Sequence, residues 1–152
     1  ILSGRRQHRG TIVISVLYVD DEPALLELTR LFLERYGNYS VDTAISALDA
    51  LDMMKAAPYD AIISDYQMPV MDGIALLKHL RAEDSSTPFI LFTGRGREEI
   101  AIEALNAGAD FYLQKGGEPG SLFAGLEHKL RLAVERRRIA DELSESRQRM
   151  TA

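Results

Sequence analysis

Asp65 closes the apolar run Ala61-Ile62-Ile63, and three other runs in the chain also end on polar residues. The stretch from Ile12 to Val19 ends in Asp20-Asp21-Glu22, Phe89-Ile90-Leu91-Phe92 ends in Thr93-Gly94, and Phe111-Tyr112-Leu113 ends in Gln114-Lys115. Brought to one edge of a sheet, Asp20, Asp21 and Asp65 place up to three carboxylates in one pocket. Unpaired like charges raise one another's pKa and cost stability, and a divalent cation relieves both. Oxygen donors without His or Cys favour Mg²⁺ over zinc or copper. Lys115 can pair with a carboxylate or a phosphoryl oxygen as a compact point charge. The Thr93 hydroxyl can donate to that same oxygen, and Gly94 behind it leaves room for a phosphodonor to approach in line. A plainer reading has Asp20-Asp21-Glu22 merely acidifying the first turn of a helix. It accounts for neither the second acidic strand end nor the matched lysine.

The elements that must position these residues follow from periodicity. Short apolar runs bounded by turn residues read as buried parallel strands. Tyr39-Ser40-Val41-Asp42-Thr43-Ala44 alternates and reads as a fifth strand at an edge. Between the strands, helical period is carried by Leu25, Leu28 and Phe32 after Pro23, and by Leu48, Leu51 and Met54 after Ser46. It continues in Ile74, Leu77 and Leu80 after Asp72-Gly73, and in Ile100, Ala104 and Ala107 before Gly108. Strands alternating with helices predict βαβ units and a parallel (βα)5 sheet, whose strand carboxyl ends form the mouth of a site. Pro23 suits a first helical turn, Ser46 and Asp72 read as N-caps, and Gly37 and Gly108 as helix stops. Pro58 and Pro88 mark the connections into the third and fourth strands.

Length and composition bound the function classes. The 152 residues predict one domain with a real core. The absence of cysteine excludes a disulfide framework, a thiolate metal site and a cysteine nucleophile. Apolar runs stop short of the roughly 18 residues a membrane span needs. No signal-peptide pattern is visible, so the cytoplasm is the expected location. The first residue is isoleucine rather than methionine, which predicts a piece of a longer protein. Residues 11–120 hold 8 Lys/Arg against 18 Asp/Glu, whereas residues 1–10 carry Arg5, Arg6 and Arg9 with no acid. So acidic a body argues against direct nucleic-acid binding.

The order Asp20-Asp21-Glu22-Pro23, Asp65-x-x-Met68-Pro69-x-Met71-Asp72-Gly73, Thr93-Gly94, Gly108-Ala109 and Lys115 resembles the receiver domain of two-component response regulators. The resemblance spans roughly Thr11 to Gly125, which makes residues 1–10 a basic N-terminal extension, residues 11–125 the receiver and residues 126–152 a helical linker. It implies a flavodoxin-like, doubly wound parallel sheet with strand order 2-1-3-4-5. It also implies that Asp65 is the phosphoacceptor, supplied by a histidine kinase or phosphotransfer protein, so that the chain catalyses only its own modification. Carried over, Asp21 would bind Mg²⁺ directly and Asp20 directly or through a water. Asp65 and the backbone carbonyl of Gln67 would complete the protein ligands, and Thr93 and Lys115 would contact the phosphoryl oxygens. Tyr112 occupies the family's switch aromatic position, coupled to Thr93. The signal would then be read on the surface of the fourth helix, fifth strand and fifth helix. An ordinary amphipathic aromatic at Tyr112 would instead keep its hydroxyl at the surface.

Departures from the family pattern are confined to loops. Gly116-Gly117 follows Lys115 where proline is usual, which predicts a freer loop. Gln67 stands where the family tunes dephosphorylation, and Arg95-Gly96-Arg97 makes the loop after Thr93 basic. From Gly120 to Met150 the residues are helix formers interrupted only by Gly125. A heptad reading puts Leu126, Ala133, Ala140 and Arg147 at a, and Leu122, Lys129, Arg136, Leu143 and Met150 at d, a mediocre coiled coil. The expected result is a fifth helix lengthened into a linker toward an output module beyond Ala152. A homodimer through that helix, or through the fourth helix, fifth strand and fifth helix, is compatible with it. The competing class is a pseudo-receiver or scaffold that binds partners through the same surface without phosphorylation. An aspartyl phosphatase is disfavoured, because it would want an acid where Gln67 stands.

Overall fold

A computed structural model of the chain describes residues 6–8, 11–83, 85–94 and 97–151. In chain order the elements are β1 (Arg6–His8), β2 (Thr11–Val19), α1 (Pro23–Tyr36), β3 (Tyr39–Ala44), α2 (Ala47–Ala56) and β4 (Ala61–Ser64). There follow α3 (Gly73–Ala82), β5 (Phe89–Thr93), α4 (Glu98–Asn106), β6 (Phe111–Gln114) and α5 (Pro119–Thr151). The five strands β2 to β6 are parallel and lie in the order β3-β2-β4-β5-β6, which is 2-1-3-4-5 counted along the parallel strands. Every residue of β4 and β5 is buried, as expected of strands covered on both faces. The alternating β3 pairs only with β2, at the edge.

The sheet separates two apolar layers. Leu17, Val19, Ile62 and Leu91 point toward α2, α3 and α4, meeting Ala50, Ile74, Leu77 and Ala104. Val16, Tyr18, Ile63 and Phe92 point to the other face, meeting Leu26 and Leu33 of α1 and Leu126 and Leu130 of α5. The pleat's period of two makes this division automatic. Helix starts match their local chemistry. Pro23 opens α1, the Ser46 hydroxyl accepts from Asp49 N–H at 3.1 Å, and an Asp72 carboxylate oxygen accepts from Ala75 N–H at 2.8 Å.

One expectation gains an element and two are revised. The N-terminal segment read as a basic extension contributes β1, which pairs antiparallel with the start of β2 (Arg6 opposite Val13); residues 1–5, 9 and 10 lie outside the described residues. The inward face of α1 is Leu26, Thr29 and Leu33, while Leu28 is 52% exposed, because α1 is wedged between β3 and α5 rather than laid flat on the stripe its periodicity suggested. On α2, Ala47 and Ala50 are buried and Leu48 faces solvent.

The C-terminal helix is continuous over 33 residues. Leu126, Leu130 and Ala133 are buried against the domain, and Lys129 and Arg136 lie over the Phe111 ring, 5.1 and 4.7 Å from its centroid. The first half of the proposed heptad is therefore packed against the receiver body. Beyond Val134 the apolar residues Ile139, Leu143 and Met150 are exposed.

Candidate functional site

Parallel strands that end together bring their terminal residues together. Asp20 N–H donates to Ala44 O (3.0 Å), Asp65 N–H to Val19 O (2.8 Å), and Lys115 N–H to Thr93 O (2.8 Å), so the ladders are continued by the site residues themselves. The result is a cleft of about 750 Å³ at the carboxyl edge, lined among others by Asp21, Asp65, Gln67, Thr93, Gly94 and Lys115. Asp20 lies beneath it, fully buried, while Asp21 is exposed at the rim.

The charges are tightly linked. Lys115 Nζ donates to Asp20 Oδ2 at 2.8 Å and stands 3.5 Å from Asp65 Oδ1, with its side chain only 14% exposed. It also sits 5.5 Å from the centroid of the Phe92 ring. Asp65 Oδ1 accepts from Tyr66 N–H at 2.9 Å, and the Thr93 hydroxyl also bonds the Asp65 carboxylate. One cation thus bridges two carboxylates, which leaves the cluster short of positive charge. Carboxylate oxygens of Asp20, Asp21 and Asp65 lie within 4.8 Å of one another. An octahedral ion with bonds of about 2.1 Å needs ligand oxygens roughly 3 to 4 Å apart. An all-oxygen set that contracts slightly fits Mg²⁺.

Burial holds the Asp65 carboxyl above the ordinary carboxylate range; the Lys115 ammonium partly offsets this, and the Asp20 charge adds to it. A proton held more tightly in the folded chain than in the unfolded chain makes stability fall as pH rises through that window. Asp65→Asn is therefore expected to raise the urea midpoint at pH 7 in the absence of divalent cation, and the gain should disappear below about pH 3, where ordinary carboxyls are protonated too. A variant no more stable than wild type at pH 7 contradicts this reading.

The flanking segments show why the cleft has its shape. Gly73 opens α3 with its N–H on Tyr66 O at 2.8 Å, and an added Cβ would lie 2.1 Å from the backbone oxygen of Asp65. Between them Val70 is exposed with φ +72°, a left-handed conformation that β-branched residues rarely adopt. Gly116 and Gly117 have φ of +145° and +77°, the region that favours glycine, so the loop after Lys115 is specified by glycine's freedom. A methyl at Gly94 would rest 3.8 Å from Lys115 Cδ, an ordinary contact, so nothing in the protein's own packing requires glycine there. Arg95 and Gly96 of the basic loop lie outside the described residues.

Tyr112 departs from the surface-hydroxyl expectation. Its ring packs against the α2–α4 side of the core, and its hydroxyl is buried with no hydrogen-bond partner among the described residues. Two contributors were not anticipated. Tyr18 reaches Asp20 from within the sheet, and the Ser64 hydroxyl donates to the Asp65 carbonyl at 2.8 Å. The available signal for Tyr18 was its position two residues before Asp20, on the same face of the strand.

The chain is similar in sequence and fold to known proteins. The family model for the response regulator receiver domain matches residues 16–127. The transcriptional regulatory protein ResD of Bacillus subtilis is 36% identical over 120 residues, covering 79% of this chain and 49% of that protein. Response regulator Rre1 of Synechocystis is 38% identical over 113 residues, covering 73% and 49%. Among solved structures, a CheY-like receiver domain protein from Methanospirillum hungatei superposes with a TM-score of 0.71 at 30% identity, covering 82% of this chain and 98% of that one. The Francisella response regulator 1452 receiver domain gives 0.74 at 29% identity, covering 81% and 98%. The chain spans about half the length of the curated relatives it matches.

Proposed function

We propose, for a chain that belongs to the response regulator receiver domain family, that Asp65 accepts a phosphoryl group from a phosphohistidine of a histidine kinase or phosphotransfer protein. The observation that carries this reading is the largely covered cation Lys115, held between Asp20 and Asp65 on the floor of an open cleft with Thr93 beside it. Phosphoryl transfer asks a protein for positioning and charge neutralisation more than for covalent help. The Asp65 carboxylate attacks phosphorus, a new P–O bond forms, and the P–N bond breaks with its electron pair returning to the imidazole. Lys115, 3.5 Å from Asp65, neutralises charge on the incoming oxygens, and the Thr93 hydroxyl donates to them. Mg²⁺ on Asp20, Asp21, Asp65 and the Gln67 carbonyl would screen the same charge when bound.

Phosphorylation removes the carboxylate's own charge and brings about two with the phosphate. Asp65 thus gains about one net negative charge and three strong acceptor oxygens, which biases the Thr93–Tyr112 pair and with it the surface of α4, β6 and α5. The buried Tyr112 hydroxyl, without a hydrogen-bond partner among the described residues, supports a ring with a second resting place where that oxygen is satisfied. The half of each curated relative that this chain does not cover leaves room for an output domain joined through α5, and the whole protein would act in the cytoplasm. No helix among the described residues is long and apolar enough to cross a membrane.

Incubation with acetyl phosphate and Mg²⁺ is expected to add the mass of one phosphoryl group to the wild type and none to Asp65→Ala. An unmodified wild type, or equal modification of the variant, sinks the acceptor assignment and returns the chain to the scaffold reading.

A further inference from the structure

Tyr18 is fully buried in β2, and its Oη donates to Asp20 Oδ2 at 2.8 Å. Asp20 has no solvent exposure, so its carboxylate depends on protein donors. Among the described residues three reach it: Tyr18 Oη and Lys115 Nζ both arrive at Oδ2 at 2.8 Å, and Glu22 N–H arrives at Oδ1 at 3.0 Å. The Tyr18 ring is fixed in turn, packed with Leu26, Leu33 and Ile63 and tilted against Phe92 at 6.3 Å between centroids. Burial first, and the Asp20 charge second, push the Tyr18 hydroxyl well above an ordinary phenol.

Lys115 has two claimants, Asp20 and Asp65, and the phosphoryl group of the acceptor reading would add a third. When the ammonium turns toward that oxygen, Asp20 loses its charged donor. A buried carboxylate stripped of a donor is costly and free to rotate. At Oδ2, the oxygen Lys115 would leave, Tyr18 is the remaining donor, its ring packed in the core, while Glu22 N–H serves Oδ1.

We propose that Tyr18 is a positioning residue for divalent-cation binding in the cleft, holding the buried Asp20 carboxylate in its ligating orientation independently of Lys115. The inference rests on the acceptor-site reading above and adds to it a residue outside the cleft lining. Partners that orient a metal ligand from behind typically change metal affinity by 10- to 100-fold when removed.

The test is a calorimetric titration of the whole chain with Mg²⁺ alone, run for wild type, Y18F and Y18L below each protein's own melting transition, with melting curves recorded separately. Y18F keeps the ring and loses only the hydroxyl, and is expected to weaken Mg²⁺ binding about tenfold. Y18L is expected to show the same loss of affinity together with a lower melting temperature, since it also empties the ring's place. Affinity within twofold of wild type in Y18F, whatever its melting temperature, overturns this inference alone. Lost affinity in Y18L but not in Y18F does so as well, since packing rather than the hydroxyl would then be responsible. A wild type that binds no Mg²⁺ overturns the acceptor-site reading and this inference with it.

Discussion

Lys115→Met is expected to slow phosphorylation of Asp65 by about 100-fold and to lower stability by about 3 kcal/mol in the absence of divalent cation. Both effects have one origin. The Lys115 ammonium is the cation that touches Asp20 and Asp65 together, at 2.8 and 3.5 Å, and it is largely out of water. Methionine preserves the length and apolar stem of the side chain, including its place beside Phe92, and removes only the charge. Two carboxylates are then left facing each other with two backbone amides, two hydroxyls and no cation among the described residues, the arrangement in which removal of one partner costs most. The kinetic loss is read from the initial rate of mass gain with acetyl phosphate, the stability loss from urea denaturation. Adding Mg²⁺ should recover part of the stability, since the ion supplies the missing positive charge, but not the rate. A variant phosphorylated at the wild-type rate would remove Lys115 from the chemistry.

Gly73→Ala is the second large effect, expected to cost about 3 kcal/mol although alanine is the better helix former. Gly73 does not occupy the left-handed region, so no backbone strain argues for glycine there. Space does. The new Cβ would stand 2.1 Å from the Asp65 carbonyl oxygen and 2.9 Å from Leu91 Cδ1, and the first of these is backbone at the end of β4, in the proposed acceptor itself. Either α3 backs away, breaking the Gly73 N–H bond to Tyr66 O, or the end of β4 shifts and takes Asp65 with it. The same substitution should therefore lower both the urea midpoint and the rate of phosphoryl uptake. Unchanged values of both would show that the close approach relaxes freely.

Much of the site was readable because buried parallel strands appear as nearly unbroken apolar runs, so the polar residue that ends each run marks the sheet edge. Asp20, Asp65 and Thr93 were found that way, and Lys115 by one further step past Gln114. What stayed hidden depends on partners far away in the chain. Tyr18 sits inside an apolar run and looks like core until the pleat sets its hydroxyl beside a buried aspartate. Gly73 looks like a turn residue until α3 is seen against β4. The buried face of α1 is chosen in part by α5, about a hundred residues later, and the tilted contact of α1's Phe32 with Phe123, 5.1 Å between centroids, has no local signature. The three-residue β1 is too short for periodicity to detect, and its pairing with residues 11–13 reveals it only in the folded chain.

The continuous C-terminal helix has a mechanical consequence. Its root is clamped in the core by Leu126, Leu130 and Ala133, and two cationic side chains lie across Phe111, the neighbour of Tyr112 on β6. Residues 135–151 run on from that clamp for roughly 25 Å at 1.5 Å per residue, the stretch to Glu145 beside a groove it shares with Ile12, Ile14 and Asp60. A stiff rod of that length works as a lever arm: a tilt of about 5° at the root carries its tip roughly 2 Å. Rearrangements too small to alter the fold of the domain would thus be magnified at a point far from the cleft, without any bond along the rod having to break.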